Sequence, residues 1–243
     1  MPSQLTCRPE LDFPVALLRV TGALDMITAP TLRSAMHGCL ANQPEAVLVD
    51  VAGLEVQEPL ALSVFAAVAR QAADWPAVPV VLCRPDTVTA HRLARSPVRR
   101  SIEVAASCEE ALARAGARTR PARLRRTLQP VIGACRQARE AVQEFCARWN
   151  LSDLAGSACV IASELVANVV RYAHTPMQFS LAANGRRLSV AVRDGSLAMP
   201  QPRALDPAVP GGRGLLLVRE LADRWGTLSV SDGKVVWATL AAP

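Results

Sequence analysis

An arginine-rich run, RAGARTRPARLRR (Arg114–Arg126), separates two regions whose apolar residues are organised differently. It holds Gly116 and Pro121, both punctuators of local structure, and reads as a boundary. Before it, strand and helix patterns alternate. VALLRVTG, EAVLVDVAGL and VPVVLC read as strands, with a further short strand near Ile102–Val104. Between and after them, LDMITAPTLRSAMHGCLAN, PLALSVFAAVARQAADW, TVTAHRLARS and CEEALARAG read as helices. Such alternation predicts a mixed or parallel sheet covered by helices, an α/β fold.

The second region begins with a strand near Arg123–Leu128 and a long helix, VIGACRQAREAVQEFCARWN. A second helix follows over Asp153–Ala173. PMQFSLAAN and RRLSVAVRDG then pair about Asn184-Gly185, and TLSVSDGKVVWATL pairs about Asp232-Gly233. A Pro-rich loop and the helix RGLLLVRELADR lie between the hairpins. Helices on one face of a mixed sheet predict an α+β sandwich.

The chain has 243 residues and is 51% hydrophobic, enough for one large core or two modest ones. Its net charge is +6, carried by arginine; Lys234 is the only lysine. The basic run lacks aromatic residues for stacking on bases, so a nucleic-acid arm is not expected. No apolar run approaches the ~18–20 residues of a membrane span. MPSQLTCRPELD lacks a basic stretch followed by an apolar one, so no signal peptide is expected. Seven cysteines (Cys7, Cys39, Cys83, Cys108, Cys135, Cys146, Cys159) form no CxxC motif. They read as reduced core thiols of a cytoplasmic protein, not a disulfide framework or a zinc site.

Chemistry gathers at three element ends of the second region. In SELVANVVRYAHT, Glu164, Asn168, Arg171 and Thr175 share one stripe of a helix, because positions i, i+4, i+7 and i+11 fall on one face. A polar stripe is ordinarily the wet side of an amphipathic helix. Asp194-Gly195 ends the strand LSVAVRD, where a carboxylate can accept a hydrogen bond from a ligand amine. GGRG (Gly211–Gly214) opens a helix, and free N–H groups at a helix start cradle anions. A carboxamide oxygen such as that of Asn168 suits Mg²⁺. Together these groups fit a nucleotide pocket.

These stretches resemble the GHKL ATPase superfamily, and most closely the bacterial anti-sigma-factor serine kinases. SELVANVVRYAH is similar to their N-box, VRDGS to their G1 box and GGRGLLLVRELADRWG to their G2 box. The resemblance implies that Asn168 coordinates Mg²⁺ on ATP and that Glu164 accepts or orients the proton of a protein hydroxyl. It implies that Asp194, with Gly195, holds the adenine amine. Gly212 and Gly214 would let a lid close over the phosphates, with Arg213 as a charge partner. The G1 box departs from the usual D-x-G-x-G, because Ser196 and Ala198 replace its glycines.

The first region resembles a STAS domain, as found in anti-sigma-factor antagonists. LLRVTGALDMITAPTLRSAM is similar to its second strand, G-x-L-D turn and first helix. The family's phosphorylation site usually reads Asp-Ser-Ser/Thr-Gly-Leu; here the same positions read Glu58-Pro59-Leu60-Ala61-Leu62. Neither Pro59 nor Leu60 has a hydroxyl, and Ser63 lies further along. A domain of this kind without the usual phospho-switch is expected to dock, to dimerise or to regulate the other half in cis.

The resemblances imply a STAS-like domain over residues 4–116, a basic linker over 117–122 and a GHKL domain over 123–241. They imply a bacterial, cytoplasmic protein serine/threonine kinase that uses ATP and Mg²⁺ and meets a sigma factor or an antagonist protein. A homodimer is compatible with this reading, and a membrane partner is not expected. The alternative is a non-catalytic ATP-binding or sequestering module. A histidine-kinase fragment is not favoured. His37 and His91 lie in the other region, His174 follows the N-box, and no dimerisation helix bearing a phosphoacceptor His precedes it.

Overall fold

Strand β2 (Val15–Leu24) alternates buried residues, β3 (Ala46–Val56) buries its first six in succession, and the two pair in parallel. Parallel neighbours need a crossover, and α1 (Ala29–Ala41) supplies it. The computed structural model describes residues 4–10, 14–116, 121–200 and 214–242. It divides into two compact units, Met1–Arg120 and Pro121–Pro243. In the first, α2 (Ser63–Asp74) leads to β4 (Val80–Cys83), and α3 (Thr87–Arg95) to β5 (Glu103–Ala105). Helix α4 (Cys108–Gly116) closes the unit. Strands β2 to β5 are parallel neighbours, so this half is α/β with a mixed sheet.

Strand β1 (Leu5–Glu10) makes the sheet mixed. It pairs antiparallel with β2 at the edge. It carries no strand signal in the sequence because Pro9 interrupts it and most of its residues are exposed, as an edge strand tolerates. Asp25 and Thr28 delay α1 to Ala29: Asp25 Oδ1 accepts the Thr28 and Ile27 N–H groups at 2.8 and 3.0 Å. Pro59–Leu62 forms a 3-10 turn with Pro59 in its first position, and α2 starts at Ser63. Leu60 and Ser63 are exposed on this turn and helix start.

The second unit has β6 (Ala122–Leu128), α5 (Ala134–Arg148), α6 (Ala155–Asn168), β7 (Met177–Asn184) and β8 (Arg187–Asp194). Helix α7 (Gly214–Leu221) and strands β9 (Arg224–Val230) and β10 (Gly233–Ala241) complete it. Its sheet order is β6-β7-β8-β10-β9, and every hydrogen-bonded pair is antiparallel. The expected mixed sheet is corrected here. Two helices in succession, α5 and α6, bring the chain back to the end of β6, where Met177 pairs with Leu128, so β7 runs against β6. Strands β8 and β9 do share a direction, but β10 lies between them.

Alternation sets the core. Phe179 and Leu181 on β7, Leu188, Val190 and Val192 on β8, and Val236, Ala238 and Leu240 on β10 form one face. They pack with Ala138, Val142, Phe145, Ile161, Leu165 and Val166 of α5 and α6. Among the described residues one helical run, Ser152–Ala173, is long and apolar enough by length and composition to cross a membrane, which corrects the expectation that none approaches that length. Its residues Ala158, Ile161, Ala162, Leu165 and Val166 are spent inside this core. The cysteines are all free thiols; Cys39, Cys83 and Cys146 are buried and the other four are partly exposed, so fewer than expected are core residues.

Candidate functional site

The helix stripe does not run as far as its spacing implies. Helix α6 ends at Asn168, and Val169–Ala173 forms a π-helical turn closed by the His174 N–H on the Val169 carbonyl at 2.9 Å. A π turn inserts one residue into the register, and His174 then takes a left-handed conformation, φ 53°. Glu164 and Asn168 keep their common face. Thr175 leaves it, while Arg171 still lines the same cavity as Asn168. Thr175 instead reaches the end of β8, where its Oγ1 accepts the Gly195 N–H at 3.0 Å.

Asp194 follows Val192 by two on β8, so it projects from the helix-facing side of the sheet. Lys234 lies directly opposite on β10, two residues before Val236, and shares that side. Asp194 is 4% exposed and Lys234 7%. Lys234 Nζ donates to Asp194 Oδ1 at 2.8 Å and to the Ser196 carbonyl at 3.2 Å. The Ser196 N–H donates to the same Oδ1 at 2.8 Å. Among the described residues the second oxygen, Oδ2, accepts no hydrogen bond. The approach of the strands depends on Gly233, φ 151°, where a Cβ would stand 1.9 Å from the Asp194 carbonyl.

Asn168, Asp194, Lys234 and Gly214 line one cavity of about 270 Å³, with Arg171 and Tyr172 from the π turn. Asn168 is half-buried, and its carboxamide makes no hydrogen bond among the described residues. Gly214 opens α7, and a Cβ there would meet Glu164 Oε2 at 2.4 Å. Glu164 thus stands at the N-terminus of α7, one turn of α6 from Asn168. Gly195 is exposed beside the cavity wall. Gly212 and Arg213 lie outside the described residues. Of the residues singled out from sequence, the fold therefore brings Glu164, Asn168, Asp194 and Gly214 together. It adds Lys234, whose signal was a lone lysine at a core-facing position of an apolar strand.

The cavity offers a carboxylate oxygen without a partner, an ammonium group beside it, a carboxamide and a helix start. That set fits a ligand with an amine at one end and an anion at the other. Residues 128–240 match the family model of the histidine kinase-like ATPase domain, and residues 8–111 match that of the STAS domain. The chain joins a STAS domain to a histidine kinase-like ATPase domain. The ATPase domain implies ATP binding.

Solved structures similar to the chain include an anti-sigma factor antagonist from Mycobacterium paratuberculosis, 23% identical, covering 48% of this chain and 97% of that one, TM-score 0.41. The unphosphorylated anti-sigma factor antagonist SpoIIAA is 15% identical, covering 47% and 99%, TM-score 0.38. The RsbU and RsbW domains of a Mycobacterium tuberculosis protein are 20% identical, covering 51% of this chain and 33% of that one, TM-score 0.39. No match was found among the curated proteins.

Proposed function

We propose that the chain is a cytoplasmic bacterial regulator of the partner-switching kind, whose ATPase domain transfers phosphate from ATP to a serine or threonine of another protein. The functional domains span residues 4–116 and 123–241, joined by 117–122. The observation that carries the reading is the convergence of Asn168, Asp194 with its unpartnered Oδ2, and the start of α7 on one cavity. The partner is a sigma factor or an antagonist protein.

Each residue has a task in that transfer. Asp194 Oδ2 accepts the adenine amine, and Lys234 holds Oδ1 so that Oδ2 stays turned to the cavity. The Asn168 carboxamide oxygen is the magnesium ligand. Magnesium, when bound, offsets phosphate charge, which is most of what phosphoryl transfer needs besides positioning. The N–H groups of α7 face the phosphates. Glu164, beside them, takes the proton of the incoming hydroxyl. The STAS half supplies a docking surface: the Gln57 and Glu58 N–H groups both bond the Leu24 carbonyl, which brings exposed Met26, Ile27 and Leu60 to one end of the sheet.

Calorimetry and phosphate mapping test this together. Wild-type chain should bind Mg-ATP, and Asn168→Ala should not. Glu164→Gln should keep ATP but transfer phosphate to co-purifying proteins about 10²–10⁴-fold more slowly. Phosphate should appear on the partner and nowhere between Glu58 and Ser63. Mg-ATP binding without transfer by the wild type would leave a sequestering module. Equal affinities of wild type and Asn168→Ala would return α6 to an ordinary wet helix face.

A further inference from the structure

We propose that Cys83 and Cys108 are a peroxide-oxidised pair, closing into a reversible disulfide inside the first unit, with Cys108 the attacking thiol. The two are 25 residues apart and no sequence motif links them. The sheet does so. Cys83 ends β4, where it pairs with Ala105 of β5, and the chain turns back three residues later to start α4 at Cys108. The sulfurs stand 2.8 Å apart. A disulfide of about 2.0 Å then needs less than about 1 Å of further approach. Among the described residues no other two cysteine sulfurs are in hydrogen-bond contact.

The surroundings divide the roles. Cys83 is fully buried beside Leu48 and Val81, whereas Cys108 is partly exposed and reachable by a small oxidant. Cys108 is the first residue of the nine-residue helix α4. Arg19 acts electrostatically on Cys108 and Arg84 on Cys83, while Asp50 holds both guanidinium groups at 3.5 and 3.0 Å. Burial and the contact with Cys108 push the Cys83 thiol well above its ordinary range. Cys108 is therefore the sulfur that a small oxidant meets first.

The chemistry closes with a hydroperoxide as oxidant. The Cys108 thiolate attacks one peroxide oxygen, the O–O bond breaks, and hydroxide leaves as water after taking a proton. Cys108 becomes a sulfenic acid. The Cys83 sulfur attacks the Cys108 sulfur, the S–O bond breaks, and the departing hydroxide takes the Cys83 proton. Two thiols and one hydrogen peroxide give one disulfide and two waters. The bond ties the end of β4 to the start of α4 across β5 and α3. It restricts the unfolded chain and should raise the melting temperature of the first unit.

The test uses the full chain and one equivalent of hydrogen peroxide, followed by alkylation and non-reducing peptide mapping. The expected product is a Cys83–Cys108 peptide pair lighter by two hydrogens and restored by dithiothreitol. Cys7, Cys135 and Cys159, partly exposed but with no cysteine sulfur in hydrogen-bond contact among the described residues, should oxidise about tenfold more slowly in the same tube. Cys83→Ser should accumulate a dimedone-trappable sulfenic acid at Cys108, and Cys108→Ser should trap none at Cys83. Oxidation of the three other cysteines while Cys83 and Cys108 stay thiols would overturn the proposal, as would a disulfide between any other pair. Trapping at Cys83 in Cys108→Ser at the wild-type rate would overturn the assignment of the attacking thiol.

Discussion

Asp50 and Asp194 are both strand aspartates, 5% and 4% exposed, and each is held by a cation. Asp50 spends both oxygens. Oδ1 accepts the Ala52 N–H at 3.1 Å, and Oδ2 takes Arg84 at 3.0 Å and Arg19 at 3.5 Å. Its arginines are half-exposed, so their charge is solvated as well as paired. Asp194 spends only Oδ1, and its lysine is buried with it. A buried carboxylate becomes a binding group when one oxygen is left over and a cavity meets it. The buried counter-ion sits on the other oxygen.

The largest effect should come from breaking the Asp194–Lys234 pair. Removing one partner of a buried pair leaves an uncompensated charge and costs about 3–5 kcal/mol. Lys234→Met and Asp194→Asn should each destabilise the second unit by that order in urea unfolding. The double variant should recover part of the loss, because no lone charge remains. Asp194→Asn should also weaken ATP about tenfold or more, since a hydrogen bond to a charged group is worth about 1.5–3 kcal/mol. Its affinity should be measured well below its own melting temperature. Single-variant costs under about 1 kcal/mol would make the pair an ordinary surface bridge and erase its contrast with Asp50.

A second, smaller effect separates the fold from the chemistry at the same site. The tightest approach of a Cβ at Gly214 is to the far end of Glu164, a side chain that can swing away. Gly214→Ala should therefore change stability little while displacing the carboxylate by about 1 Å. Such a displacement can cost about a hundredfold in rate. Phosphate transfer should fall by that order with Mg-ATP affinity nearly unchanged. A variant that unfolds, or one that transfers at the wild-type rate, would show that Glu164 is not placed by Gly214.

Much of this arrangement was legible because strand parity and helix spacing are local. Glu164 and Asn168 share a face within one regular helix, and Asp194 ends a strand of clear alternation. What was not legible depends on neighbours distant in the chain. The π turn at Val169–Ala173 has no signature in its residues, yet it takes Thr175 away from the stripe. The antiparallel sheet follows from the return of α5 and α6, which strand patterns do not show. Lys234 becomes meaningful only in register with Asp194, 40 residues away. Strand β1 is stabilised by its pairing with β2, not by an apolar face of its own.

The smallest expected effect sharpens the comparison from the other side. Arg84→Gln removes one cation from Asp50, but Arg19 remains on the same oxygen at 3.5 Å and the Ala52 N–H remains on the other. The Arg84 side chain is 50% exposed, so water already shares its charge. Half-exposed ion pairs contribute about 0–1 kcal/mol, and salt weakens them further. Arg84→Gln should thus shift the urea midpoint of the first unit by no more than that amount, and less at 1 M salt, where the Debye length falls to about 3 Å. ATP affinity should not move. A loss as large as that of Lys234→Met would mean that Asp50 is as dependent on one partner as Asp194 is. The number of partners per oxygen, rather than burial, would then no longer distinguish the two carboxylates.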